Sequence, residues 1–241
     1  MNDAPPRLVW CATTDECAWV DGAVAALRDA IRVDLGLAER ALLLVSGGST
    51  PAPVLRALSN ADLDWTRVIV SLVDERDVES ADVGSNARLV RETLLAGGAG
   101  RATFWPLREA GRTLEDAVRA ANWRWNDALP NVAAAVLGMG EDAHTASLFP
   151  GAIGLDSALA ARDPYAAIDA GGCTAAGAWT RRISLTPAGL SHARSRLLLI
   201  RGESKRAVFE RALATDDVRQ APVRIAVDAP GAQLHVHWCA K

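Results

Sequence analysis

No apolar run in this sequence of 241 residues approaches the roughly 18 consecutive residues that cross a bilayer. A membrane-spanning helix is therefore not expected. An excess of basic residues is also missing: 26 Lys and Arg stand against 29 Asp and Glu, a formal net charge of −3. Nucleic-acid binders usually carry a basic face or tail, so neither nucleic acid nor membrane is expected as a partner. An anionic ligand must instead be drawn in by a few local cations. The four cysteines, Cys11, Cys17, Cys173 and Cys239, form no CxxC pair, which argues against a zinc ribbon or a redox motif. Free thiols in a reducing compartment are expected. The opening MNDAPPRLVWCATTDE has no cationic start leading into an apolar stretch, so no secretory signal is read there and a cytoplasmic location is expected. Internal repeats and low-complexity tracts are absent as well.

Half of the residues are apolar and 23% are charged, the mix of a globular protein with a sizeable core. The first half alternates strand and helix patterns. Strands are predicted at 7–12, 41–46, 67–73 and 132–137. Helices are predicted at 15–35, with Thr14 or Asp15 as N-cap and Val20, Val24, Leu27, Ile31 and Leu35 on one face, from Pro51, at 85–96 and at 113–129. Buried runs such as ALLLV and RVIVSLV suit strands covered on both faces. The pattern predicts an α/β fold, a Rossmann-like parallel sheet sandwiched between helices. The Ala/Gly/Asp-rich stretch 152–178 is read as an excursion or small added subdomain in the second half, its 166–178 portion a candidate lid. Strands return at 182–185, 196–201 and 233–239, with a helix at 203–213. One domain over 1–241 is expected.

Three polar segments follow predicted strands, so they should gather at the strands' carboxyl edge, where ligands of such sheets sit. Ser46-Gly47-Gly48-Ser49-Thr50-Pro51 joins a buried strand to a helix start. Glycines let backbone N–H groups approach an anion, and the hydroxyls and helix start add donors. Taken alone it fits a tight capped turn equally well, and no GK[ST] follows. Asp74-Glu75-Arg76, with Ser85-Asn86 downstream, offers a carboxylate and a guanidinium that suit water and phosphate; an isolated DER is more often a solvated loop. The segment 138–150, GMGEDAHTASLFP, sets His144 among glycines, acids and hydroxyls, and histidine is the side chain best suited to take a proton near neutral pH. His235 and His237 share one face of a strand without an evident third ligand, so an exposed strand face is preferred to chelation. His192 has no companion motif, and the eight tryptophans are scattered as packing residues.

Read in order, VSGGSTP, VDERDV with SN, and LGMGEDAHTASLFPG resemble the 6-phosphogluconolactonases and, more distantly, the glucosamine-6-phosphate deaminases that share their fold. RRISLT and LLLIRGESKRAVF extend the resemblance over nearly the whole chain. It implies a phosphate site formed by Gly47, Gly48, Ser49, Thr50, Arg76 and Lys205, with His144 activating water and Asp74 close by. Asp142, Asn86 and one of Arg181 and Arg182 (Arg182 is carried forward) are supporting candidates. No metal and no cofactor are implied. The substrate is a phosphorylated sugar lactone, and the protein is expected as a monomer or weak dimer. Ser49 and Ser147 lack the G-x-S-x-G context of an acyl-enzyme hydrolase.

The chain departs from the family pattern at three places. Ala143 replaces a usual glycine, Ala133 replaces an acid, and Asp77-Val78-Glu79 lacks a nearby proline. If position 143 needs a positive φ, alanine there costs on the order of 1 kcal/mol. Two alternatives follow from the same motifs. An amino-sugar-phosphate isomerase or deaminase is disfavoured because no acid follows His144 in TASLFPG. A non-catalytic sugar-phosphate sensor is disfavoured because no stretch reads as a helix-turn-helix.

Overall fold

The computed structural model describes residues 8–128 and 131–240. Arg7 and Leu129, the outer ends of the first predicted strand and of the helix at 113–129, lie outside the described residues. The strands are β1 (Leu8–Thr13), β2 (Ala41–Val45), β3 (Val68–Leu72), β4 (Asp74–Arg76), β5 (Thr103–Trp105), β6 (Val132–Leu137), β7 (Tyr165–Asp169), β8 (Arg181–Leu185), β9 (Arg196–Arg201) and β10 (Leu234–Cys239). The helices are α1 (Glu16–Leu37), α2 (Ala52–Leu58), α3 (Asn86–Glu92), α4 (Leu114–Ala128), α5 (Leu155–Leu159), α6 (Pro187–Ser191), α7 (Gly202–Leu213) and α8 (Arg224–Asp228). None of these helices is long and apolar enough to cross a membrane.

Seven strands form one parallel sheet in the order β1-β10-β9-β6-β2-β3-β5. Every residue of β2, β3 and β6 is buried, as continuous apolar runs require when helices cover both faces. Helix α1 starts where Asp15 accepts a 2.7 Å bond from Ala18 N and ends where the Arg67 guanidinium binds the carbonyls of Leu35, Ala38 and Glu39. Such side chains satisfy the orphan groups of both helix ends. Its buried face is Trp19, Ala23, Leu27, Ile31 and Asp34, rotated from the predicted one, and Val20, Val24 and Leu35 are half-buried. Trp19 decides the rotation: the largest side chain at that end goes inside and donates its indole N–H to His237 O at 2.9 Å.

Helix α3 stops at Glu92, short of the predicted Ala96. Thr93 Oγ1 bonds back to Leu89 O at 2.6 Å, and a 3₁₀ turn over Leu94–Ala96 runs on to Gly97 and Gly98. The preferred reading of His235 and His237 is corrected. Helices α1 and α7 pack on β10, and Gly22 of α1 lies against the His237 ring: His237 is buried, and His235 reaches only partial exposure. Burial, aided by His235, pulls the His237 imidazole down to about 4, so it is a neutral packing group. Among the described residues no cluster of three or more His, Cys, Asp or Glu is placed to hold a metal ion.

At Val73 the chain leaves the parallel sheet. Val73 N still binds Val45 O (3.0 Å), but Val73 O accepts from Leu185 N (2.7 Å). The strand then continues as β4, antiparallel to β8, which pairs with β7. The 152–178 excursion thus supplies one outer strand, β7, of a three-stranded sheet whose other outer strand, β4, comes from the first half.

Candidate functional site

Strands β2 and β6 are neighbours, yet the chain leaves β2 toward β3 and leaves β6 toward β9. Strand order reverses between them, and a crevice opens beyond their carboxyl ends at such a point. Loops 46–51 and 138–150 face each other across it, joined where Ser46 N and Oγ both donate to Val136 O at 3.1 and 2.7 Å. A cavity of about 220 Å³ lies there, walled by residues 46–51, by Asp74, Arg76 and Asn86, by Gly138, Met139, His144 and Ala146, and by Arg182. All three predicted polar segments meet in it.

The histidine is held by a tight turn. Gly140 N donates to His144 O (2.9 Å) and Ala143 N to Gly140 O (3.2 Å). Asp142 Oδ1 accepts from His144 N at 3.2 Å and lies 2.5 Å from Nδ1. With Nδ1–H given to the carboxylate, the neutral ring presents Nε2 as its free acceptor. Phe149 packs on the imidazole, ring centroids 4.2 Å apart. Burial would raise the Asp142 carboxyl, but the hydrogen bond and charge of His144 outweigh it and hold the group below its ordinary value. Of the two candidate carboxylates, Asp74 and Asp142, the one bonded to His144 is Asp142. Gly140 has a steric reason: a Cβ there would fall 2.1 Å from His144 Nδ1 and 2.4 Å from Asp142 Oδ1.

Ala143 sits at φ 62°, the left-handed region anticipated for it, and the turn keeps its hydrogen bonds. Ala143→Gly relieves roughly 1–2 kcal/mol of strain but removes a buried methyl, about 0.8 kcal/mol, and adds unfolded-chain entropy of similar size. Unfolding free energy should therefore change by less than about 1 kcal/mol, and activity should stay near wild type. Chemical denaturation and initial rates check both.

Asp74 anchors a second network. Its Oδ2 accepts from Ser147 Oγ (2.6 Å), its Oδ1 and carbonyl from Asn86 Nδ2 (3.1 and 2.8 Å), and Arg182 Nη1 stands 3.9 Å from Oδ2. Arg182 is buried, donating to Ala176 O (2.7 Å) and Trp179 O (2.8 Å), with its guanidinium over Phe149 at 4.9 Å. Those bonds tie Ala176, near the end of the 166–178 candidate lid, and the adjoining Trp179 to the cavity wall. Arg181 is exposed and pairs with Asp77 and Glu115, so of the two arginines Arg182 faces the cavity. Arg76 Nη1 donates to Gly84 O at 2.5 Å beneath the Trp179 ring.

Gly47 must be glycine, since a Cβ would lie 1.9 Å from Asn86 Oδ1, and Gly48 has φ +97°. Ser49 and Thr50 complete this wall, open to solvent. Lys205 stands apart from the other site residues: its ammonium donates to Met139 O (2.8 Å) and lies 3.5 Å from Glu141, one residue behind the wall. Sequence reasoning gave no role to Glu75 or Ser147. Both are buried polar groups inside recognised motifs; the partners of Glu75 lie at 76 and 85–87, whereas those of Ser147 come from distant segments.

The family model described as glucosamine-6-phosphate isomerases/6-phosphogluconolactonase matches residues 14–238. A 6-phosphogluconolactonase of Xylella fastidiosa is 46% identical over 99% of this chain and 98% of its own. One from Pseudomonas aeruginosa is 40% identical, covering 95% and 93%. The crystal structure of a 6-phosphogluconolactonase from Shewanella baltica superposes with a TM-score of 0.90 at 32% identity, covering 97% of this chain and 98% of that one.

Proposed function

The chain belongs to the glucosamine-6-phosphate isomerase/6-phosphogluconolactonase family, and from that premise we propose that it hydrolyses 6-phospho-D-glucono-1,5-lactone to 6-phospho-D-gluconate. The observation that carries the reading is one cavity holding a carboxylate-oriented histidine opposite a glycine loop and two guanidinium groups. The substrate phosphate binds the N–H groups and hydroxyls of Gly47–Thr50 together with Arg76. Arg182 is a second cation on the same wall, and Lys205, whose ammonium rests on Met139 O, has a further N–H to offer the anion. Anchoring the phosphate brings the lactone carbonyl to His144, and such remote binding contributes orientation.

His144 Nε2 then takes a proton from water as the water oxygen bonds to C1. The carbonyl oxygen becomes an oxyanion, stabilised by backbone donors or a cation of the wall. Collapse breaks the bond from C1 to the ring oxygen, which takes the proton back from the imidazolium. Asp142 stabilises that imidazolium, and Asp74 stays with Asn86 and Ser147 to shape the wall beside it.

Freshly generated lactone, followed in a coupled assay against its spontaneous hydrolysis with and without EDTA, tests the reading. Chelator-resistant acceleration is expected; a rate equal to background would sink it. Asp142→Asn should lower kcat by on the order of 10²-fold or more.

A further inference from the structure

Glu75 lies between two cavity residues but is itself 1% exposed and absent from the cavity wall. Alternation along β4 turns Asp74 and Arg76 to the cavity and Glu75 the other way. Its Oε1 accepts from Arg76 N and Asn86 N, both at 2.8 Å, and its Oε2 from Ala87 N at 2.7 Å and Ser85 Oγ at 3.1 Å. One carboxylate thus bonds both ends of loop 77–85 and the first turn of α3. The loop's ends are Arg76 and Asn86, and each lines the cavity. Arg76 is further steered by Gly84 O within the loop, and Asn86 braces Asp74 while filling the space a side chain at Gly47 would need.

We propose that Glu75 is a positioning residue for the reaction: by holding loop 77–85 shut from behind, it sets the direction of Arg76 and Asn86 against the substrate. The proposal rests on the lactonase reading above. A carboxylate is required because all four partners donate. A carboxylate only accepts, whereas the amide of glutamine would set N–H against the Ala87 N–H. Burial pushes the Glu75 carboxyl up, against the pull of the backbone donors, so the loop is closed on a desolvated acceptor whose unmade bonds would be costly.

The test is a double-mutant cycle with Glu75→Gln and Arg76→Gln, read by lactone hydrolysis and by calorimetric binding of 6-phosphogluconate, with near-UV circular dichroism reporting folding. Folded Glu75→Gln should lose roughly tenfold or more in kcat/KM, chiefly through KM, with weaker product binding. On the Arg76→Gln background the same change should cost less than about threefold, because the group it aims is already gone. Equal losses on both backgrounds, or wild-type kcat/KM in Glu75→Gln, would overturn the proposal. Should Glu75→Gln not fold, Glu75→Asp keeps the charge one methylene shorter and should fold with reduced kcat/KM; wild-type kcat/KM there would overturn it equally. A wild-type chain that gives no acceleration refutes the lactonase reading and this proposal with it. An active wild type with an unimpaired Glu75 variant refutes only the latter.

Discussion

Replacing His144 with alanine is expected to remove on the order of 10²–10⁴ of the catalysed rate, the usual contribution of a positioned general base, while 6-phosphogluconate still binds. The separation follows from the architecture. The imidazole belongs to the turn after β6, held by Asp142 and packed on Phe149. The anion cradle belongs to the loop after β2 and to Arg76 and Arg182. Deleting the ring removes no donor from the phosphate. Initial rates against the spontaneous background, paired with calorimetry of product binding, measure the two halves separately. Retained turnover with lost binding would reverse the assignment.

Arg182→Met is expected to damage both stability and binding. The arginine is buried beside Asp74, with two backbone carbonyls as its acceptors. Methionine keeps much of the volume but leaves the carboxylate without its neighbouring positive charge and the carbonyls without their donor. Removing one partner of a buried pair typically costs 3–5 kcal/mol; with Ser147 and Asn86 still bonded to Asp74, a loss of about 3 kcal/mol in unfolding free energy is expected. KM should rise as well, because one of the two wall cations is gone. Arg181→Ala is the control: exposed, and paired only at the surface, it should shift stability by less than about 1 kcal/mol. Denaturant melts and steady-state kinetics on both variants check the contrast, and equal effects would refute the burial argument.

The central strands were legible because runs such as ALLLV and VAAAVL have one physical solution, burial on both faces of a parallel sheet. The three motifs were legible for a related reason. Each segment alone suits an ordinary turn, but three of them following buried strands must gather at one carboxyl edge of the sheet. The left-handed backbone at Ala143 was foreseeable from the glycine expected there. The buried face of α1 was less so, because hydrophobic spacing alone did not weigh Trp19 against Val20. The environment of His237 was hidden for a different reason. Whether a strand face is covered depends on the helix packed over it, and α1 is far from β10 in the sequence.

Local chemistry therefore pointed to the fold class, to the strand-end placement of the motifs and to His144 as the candidate base, since each reading rests on patterns local in the sequence. Which acid serves the histidine, which arginine faces the cavity, where Lys205 rests, and that Glu75 closes the loop behind Arg76 were decided only by the fold. Each depends on direction as well as proximity: the side of β4 on which a side chain emerges, the partners of β8, and the reversal of strand order between β2 and β6. A one-residue step along a strand turns a side chain from the cavity to the core, and only the paired strands set which step is inward.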